Sequence, residues 1–375
     1  MAKDELKRRD LLIGGALVMG TLAGGSTPVQ TKGRASPSKA PSRRSILNYN
    51  ENMEYRRLGK TGLMVSAVCL GGHWKRIETM VGKDKVPARY WDNDWSYLQL
   101  PALFENRREV LDRCIEVGIN YLDAMAPPEV VAYGRVLKGR RDKIYFGYDW
   151  WAKGPIFAEW RSAKRLIQGL DENLKQAGLD YVDIWRITLP QEGIPDLGEL
   201  QRAEEATVGA LEIAKKQGKA RFTGISTHNR TWLKSFIETY PDQIQVALFP
   251  YTANSKQLPT DSVFDAIKEY DVGVFGIKPF ADNKLFLGDG SQNGPHAQED
   301  DRRARLAIRY ILSNPAITAP IPGLINAHQV DNAALAVRER RQLDPQEKSE
   351  LEEAGRQMWA RLEPNYRWLK NWEYV

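Results

Sequence analysis

The fold this chain predicts is an α/β barrel of eight parallel strands, and three observations predict it. Past Met53, short apolar runs alternate with segments of helical periodicity eight times over. The runs are nearly continuously apolar, as strands covered on both faces are. None is followed by the Gly-x-Gly-x-x-Gly turn of an open nucleotide-binding sheet, so closure into a barrel is the better solution.

The elements follow in order. Two short runs around Gly59-Lys60-Thr61-Gly62, between Tyr55 and Val65, predict a hairpin ahead of the barrel. Strands are expected at about 67–70, 120–123, 144–148, 182–187, 222–226, 244–249, 272–277 and 319–322. Helices are expected at 103–117, 130–138, 159–177, 197–217, 230–240, 262–270, 302–313 and 327–341. In the first of these, Val110, Leu111, Cys114, Ile115 and Val117 make one apolar face at 3.6-residue spacing. Beyond 341 the chain is a C-terminal extension rich in aromatics, with Tyr366, Trp368, Trp372 and Tyr374.

Composition narrows the function classes. At 375 residues, 42% hydrophobic and 10% aromatic, the chain can fill one large core. Its net charge of +6 lies wholly in residues 1–50, which carry nine Lys/Arg against three Asp/Glu. The remainder has 45 of each sign, so the basic balance is no argument for a nucleic-acid partner. Cys69 and Cys114 sit in apolar surroundings and read as small core residues. Four isolated His residues give no ligand spacing, and no metal site is expected.

The N-terminus reads as an export signal. Lys7-Arg8-Arg9-Asp10-Leu11-Leu12 precedes a moderately apolar, Gly-rich run to Gly25, the order of a charged region followed by an apolar one. The run is too short and Gly-rich for a stable membrane span, so none is expected in the mature form. The paired arginines resemble the twin-arginine type, a receptor-read address that implies the twin-arginine export machinery as a partner and a periplasmic or other extracytoplasmic location. A basic amphipathic tail or a short anchor is the plainer alternative. The expected organisation is a signal peptide over 1–25, a Ser/Pro/Lys/Arg-rich disordered linker over 26–51, and the barrel over 52–375.

Several segments resemble one family in their order and spacing. Tyr55-Arg56-Arg57-Leu58-Gly59-Lys60-Thr61-Gly62-Leu63-Met64-Val65-Ser66 resembles the N-terminal hairpin of aldo-keto reductases, and Leu70-Gly71-Gly72 the end of their first strand. Asn120-Tyr121-Leu122-Asp123-Ala124, Tyr181-Val182-Asp183-Ile184, Gly218 to Ser226 and Ile321-Pro322-Gly323 with Gln329 resemble later segments. The resemblance runs from 54 to about 340. It implies a TIM (β/α)8 barrel, a nicotinamide cofactor (NADP or NAD) and a small-molecule carbonyl or alcohol substrate.

Residue by residue, the resemblance implies an altered site. Asp123 matches the family's catalytic Asp, but its Lys falls on Asp149, its His on Thr188 and its Tyr on Pro128. Tyr133 matches a later segment instead. Without the Tyr there is no family proton donor, and without the Lys nothing lowers that donor's pKa. Asp123 and Asp149 are expected to face each other at adjacent strand ends, where they must share a proton, bind a cation or recruit a base such as Lys278 or Arg186. The plainer expectation for Asp149 is that it turns to solvent or caps a helix.

Cofactor positions are better kept. Ser226 and Gln245 match contacts to the nicotinamide amide, with Thr227 in place of an Asn. Ile277 replaces a stacking aromatic, Lys278 is placed to meet a phosphate, and Gly323 and Gln329 mark the adenosine end. Leu324-Ile325-Asn326 lacks the basic residue that holds a 2′-phosphate. His73 and Trp74, at the end of the first strand, are implied substrate-binding residues at the mouth. Aromatic loops there suit flat polar ligands such as sugars, although the tail rings can equally pack against the barrel. Three readings result: an exported oxidoreductase with an altered site, a non-catalytic ligand- or nucleotide-binding barrel, or a carbohydrate-active enzyme using Asp123 and Asp149.

Overall fold

In the computed structural model, which describes residues 46–72, 77–82, 95–189 and 193–375, seven strands run parallel in one sheet. They are β3 (Tyr121–Ala124), β4 (Tyr145–Tyr148), β5 (Val182–Thr188), β6 (Ala220–Ser226), β7 (Val246–Pro250), β8 (Gly273–Ile277) and β9 (Ala319–Ile321), each paired with the next in chain order. An antiparallel hairpin precedes them, β1 (Tyr55–Arg57) and β2 (Met64–Ser66). Residues 67–71 close the ring as the eighth strand. Leu70 and Gly71 bridge in parallel to Leu122 and Gly323, and the amides of Cys69 and Gly71 donate to Pro320 and Pro322. The predicted barrel is therefore the observed one.

Helices cover the outside: α1 (Ile77–Val81), α2 (Pro101–Glu116), α3 (Pro127–Val136), α4 (Ala163–Ala177), α5 (Leu197–Lys216), α6 (Arg230–Thr239), α7 (Val263–Glu269), α8 (Ala297–Ser313), α9 (Ala327–Arg338) and α10 (Pro345–Ala360). Helix α8 starts five residues before its expected start, and α10 was not anticipated at all. Its signal is local: Asp344 and Glu347 cap each other's backbone amides, with Pro345 at the first helical position. The end of the stretch read as linker is also corrected. Asn48 and Asn50 donate to the carbonyls of Ile115 and Glu116, and Asn120 donates to Leu47, so residues 46–51 lie against the barrel. The stretch read as a signal peptide and the rest of that read as linker lie outside the described residues.

Side chains alternate along each strand, which divides the apolar core in two. Leu122, Phe146, Trp185, Ala247 and Phe249 pack outward against the helices. Tyr121, Ile184, Val246, Leu248, Phe275 and Ile321 point inward and meet Leu58, Leu63 and Val65 from the hairpin, which seals the amino-terminal end of the barrel. Gly59, at φ +46, presses on the backbone of 271–273, where any Cβ would collide. No helix among the described residues is long and apolar enough to cross a membrane.

Candidate active site at the carboxyl end of the barrel

The inward-facing alternation that packs the floor with apolar groups delivers charged ones at the other end. Asp123 ends β3 in phase with Tyr121, and Arg186 and Thr188 end β5 in phase with Ile184; Asp149 follows β4. All four are between 2% and 6% exposed, so their polar atoms must be satisfied by one another. Arg186 makes the centre. Its Nη2 and Nε donate to the two carboxylate oxygens of Asp123 at 2.6 and 3.2 Å, and its Nη1 donates to Asp149 Oδ2 at 3.2 Å and to Thr188 Oγ at 3.3 Å. Thr188 Oγ also donates to Asp149 Oδ2 at 2.5 Å. The Tyr121 hydroxyl donates to Asp123 Oδ1 at 3.2 Å and occupies space that a Cβ at Gly147 would fill.

The two aspartates thus come together as expected, with Arg186 as the recruited base. Asp149 does not turn to solvent. Burial raises its carboxyl above the ordinary range, with Asp123 adding to the effect and the Arg186 and Thr188 contacts opposing it. For Arg186, burial opposes the charge, but Asp123 and Asp149 outweigh it, and the guanidinium is held even more firmly cationic than usual. With that cation between them the carboxylates are not free to flank a glycosidic bond, which removes the geometric basis of the hydrolase reading. Tyr133 lies on α3 with its hydroxyl buried against Arg107, far from this cluster's inward face.

Above the cluster opens a cleft of about 470 Å³. Asp123, Arg186, Thr188 and Ser226 form its floor, and Met125 and Trp151 contribute one wall. The C-terminal extension forms another. Pro364–Trp372 is a 3₁₀ segment whose Trp372 buries its ring on Phe249 at 5.3 Å and donates from Nε1 to the His228 carbonyl at 2.9 Å. That anchor leaves Trp368 stacked on His228 at 3.7 Å, with Tyr366 beside it, both facing the cleft. Burial, reinforced by the charge of Lys278, pushes the His228 imidazole down to about 3, so it is neutral. The Lys278 ammonium sits 5.7 and 5.8 Å from the Tyr366 and Trp368 ring centres. The tail aromatics therefore divide between both expectations, Trp372 in the core and Tyr366 and Trp368 in the cleft wall.

Past Phe280 and Gly323 the cleft continues into a second hollow of about 50 Å³ between α8 and α9. Gln329 lies there, its Oε1 accepting from the Ile325 amide and its Nε2 donating to the Gly290 carbonyl. Asp301 binds His328 at 2.6 Å and Asp300 caps the amides of Leu287 and Gly288. The strand of chain between the hollows is strained: Lys278, Ala281, Asp282 and Asn283 all have positive φ.

Two expected nicotinamide contacts are not brought to this cleft. Gln245 precedes β7 at the amino end of the barrel and out of phase with the inward Val246 and Leu248. Its carboxamide oxygen accepts from Lys215 of α5 and from the Thr223 amide. Thr227 is fully buried and accepts from the Asn229 amide. His73 and Trp74 lie outside the described residues. Trp151, Met125 and His228 were not picked out beforehand; only their places after strand ends would have marked them. Among the described residues no three His, Cys, Asp or Glu side chains converge as metal ligands.

A closed parallel barrel whose polar cleft lies at the carboxyl ends of its strands is the architecture of an enzyme barrel. The family model of the aldo/keto reductase family matches residues 95–356, and the chain belongs to that family, whose members are NAD(P)-dependent oxidoreductases. It is 29% identical over 346 residues to L-galactose dehydrogenase of Arabidopsis thaliana, covering 80% of this chain and 93% of that one. It is 28% identical over 250 residues to L-glyceraldehyde 3-phosphate reductase of Escherichia coli strain K12, covering 62% of this chain and 63% of that enzyme's length. The fold also matches aldo-keto reductase AKR11C1 from Bacillus halodurans in its holo form, with a TM-score of 0.56 at 22% identity over 84% of this chain and 99% of that one.

Proposed function

We propose that the protein is a nicotinamide-dependent oxidoreductase that interconverts the carbonyl and alcohol forms of a small sugar-like molecule, with a catalytic cluster rebuilt around Arg186. The observation that carries this is the four-residue cluster Asp123–Arg186–Asp149–Thr188 under an aromatic-walled cleft, in a chain of this family. Relatives that act on a galactose and a glyceraldehyde phosphate support the sugar-like substrate class. Trp151, Tyr366 and Trp368 supply rings on which the C–H faces of a polyol can lie.

The groups along the cleft and the hollow beyond it suit a dinucleotide. Ser226 offers a hydroxyl at the end of β6, Lys278 an ammonium beside the bend at Phe280, and Gly323 and Gln329 line the far hollow. A bound nicotinamide would supply or accept the hydride. The far hollow presents Asp300 and Asp301 and no Lys or Arg among its lining residues, so NAD(H) is the better fit and a 2′-phosphate would meet like charge. Within the site, Arg186 is held in place by its two-pronged contact to Asp123 and turns its remaining donor capacity toward the oxygen of a substrate in the cleft.

A thermal melt tests the reading. At about 100 times its dissociation constant a ligand adds roughly 2.7 kcal/mol of stability, a clear shift. NADH should produce it and NADPH much less. No shift from any nicotinamide, on protein shown to be free of cofactor, would favour the non-catalytic barrel. We further propose that residues 1–25 direct twin-arginine export, on the strength of Arg8-Arg9 before the apolar run. Replacing both with lysine should strand precursor in the cytoplasm, and continued processing of that variant would remove the assignment.

A further inference from the structure

The rebuilt cluster lacks the hydroxyl that protonates a nascent alkoxide in a carbonyl reduction, yet it contains another hydroxyl in a suitable place. We propose that Thr188 delivers that proton and that Asp149, acting through Thr188, resupplies it. The inference rests on the oxidoreductase reading above and names the path its proton takes.

Three observations carry it. Thr188 lines the cleft, whereas Asp149 lies behind it and is not among the cleft's lining residues, so Asp149 reaches a substrate only through Thr188. The two oxygens are within hydrogen-bond distance, so Thr188 donates to an ionised Asp149 and can accept from a protonated one. Thr188 Oγ also accepts from Arg186 Nη1 at 3.3 Å, and when Asp149 is protonated Thr188 can accept from both and point its own hydrogen into the cleft. The asymmetry of Arg186 agrees. Its two-pronged contact goes to Asp123 and a single 3.2 Å contact to Asp149, so Asp149 is the less completely paired of the two carboxyls. The groups facing Asp149 are Asp123 from β3, the buried Tyr148 phenol from β4, Arg186 and Thr188 from β5, the Trp150 amide beside it, and Lys153 with its partner Glu172 across the small cavity behind it. Burial leads among the influences on its carboxyl and raises it.

The step balances. A hydride from a reduced nicotinamide forms the new C–H bond as the carbonyl π pair moves onto oxygen. That oxygen takes the proton of Thr188 Oγ, and Thr188 takes the proton of the Asp149 carboxyl. Asp149 is left as a carboxylate beside Arg186 and regains a proton from solvent before the next turnover. Alcohol oxidation runs the same path backward.

Ser226, Lys278 and Tyr366 are other donors among the described cleft residues; the first two are assigned to the cofactor above, so Tyr366 is the competitor tested. The test compares wild type, Thr188→Val, Thr188→Ser, Asp149→Asn and Tyr366→Phe on glyceraldehyde with NADH, each variant first shown to melt as a folded protein; Thr188→Ala stands in if the valine does not fold. Thr188→Val should lose roughly 10²–10⁴-fold in kcat with KM little changed, the range of general acid catalysis. Thr188→Ser should retain most of it. In wild type, reduction should fade as pH rises through the elevated Asp149 value, and Asp149→Asn should lack that limb. Apart from turnover, infrared titration should show a protonated-carboxyl band in wild type that Asp149→Asn lacks. Full activity in Thr188→Val, or its loss in Tyr366→Phe alone, would overturn the relay. Absence of turnover in wild type on any sugar aldehyde would instead sink the oxidoreductase reading, and the infrared band would still report on Asp149.

Discussion

The two ends of the barrel interior are lined by the same alternating strand positions and behave oppositely. At the amino end, Tyr121, Phe275, Val246 and Ile184 meet the hairpin's Leu58, Leu63 and Val65, and Tyr121 stacks on Phe275 at 4.3 Å. At the carboxyl end, two or four residues further along β3 and β5, Asp123, Arg186 and Thr188 are buried with Asp149. The floor draws its stability from apolar burial, which is insensitive to pH. The mouth consists of charges removed from water, which hold only as a matched set. The lesson is that one inward-facing alternation can carry apolar packing at one end of the barrel and a mutually hydrogen-bonded polar cluster at the other.

Breaking each end should show different signatures. Arg186→Met leaves two carboxylates buried without their cation and should cost about 3–5 kcal/mol near neutral pH. Because burial already raises the Asp149 carboxyl and Arg186 is the first influence opposing that rise, its loss makes the native state hold the Asp149 proton still more tightly than the unfolded chain does. The deficit should therefore shrink as pH falls and grow as it rises, which urea unfolding at several pH values measures. Phe275→Ala at the floor should cost about 3–5 kcal/mol by cavity formation, with the same loss at every pH. An equal pH dependence for both would erase the distinction.

Asp149→Asn sharpens the comparison with a smaller effect. In wild type the Asp149 carboxyl is raised on folding, so its contribution to stability is fully present below the ordinary carboxylate range and is lost as pH rises through its elevated value. The amide cannot ionise. Its stability should be flatter with pH, and higher than wild type in the alkaline part of the range. A variant that tracks wild type at all pH values would show that Asp149 titrates normally.

The smallest expected effect is at the cleft wall. Trp368→Ala removes the ring stacked on His228, worth about 0.5–1.5 kcal/mol. It should also expose His228 and let its pKa climb from about 3 toward the ordinary range, an outcome read by NMR titration. Substrate KM should rise more than kcat falls. If His228 still resists protonation in the variant, the wall is held by something other than the tail.

Much of the architecture was legible residue by residue. The strand–helix alternation named the barrel, and Gly59 to Gly62 the hairpin. Asp123, Asp149 and Thr188 were legible as neighbours because each falls on a family site position at a strand end, and the structure brings the three together. Arg186 was weighed only as one base to recruit, although its two-residue spacing from Thr188 already puts both on one face. Gln245 shows the opposite case. Its place in the family pattern pointed to the cofactor, yet one residue of phase sets it facing α5, where Lys215 binds it.

What the sequence by itself determined is therefore what short-range physics sets: the periods of its apolar residues, the caps and turns, and the identity of each residue at a strand end. Which of those groups meet was decided by the tertiary structure alone. Parallel strands contribute neighbours from far along the chain, as Asp123, Asp149 and Arg186 do. Whether a buried carboxyl keeps its proton depends on how many cations and dipoles that register brings within reach. Around Asp149 it brings one guanidinium already claimed by Asp123, and one hydroxyl that opens onto the cleft.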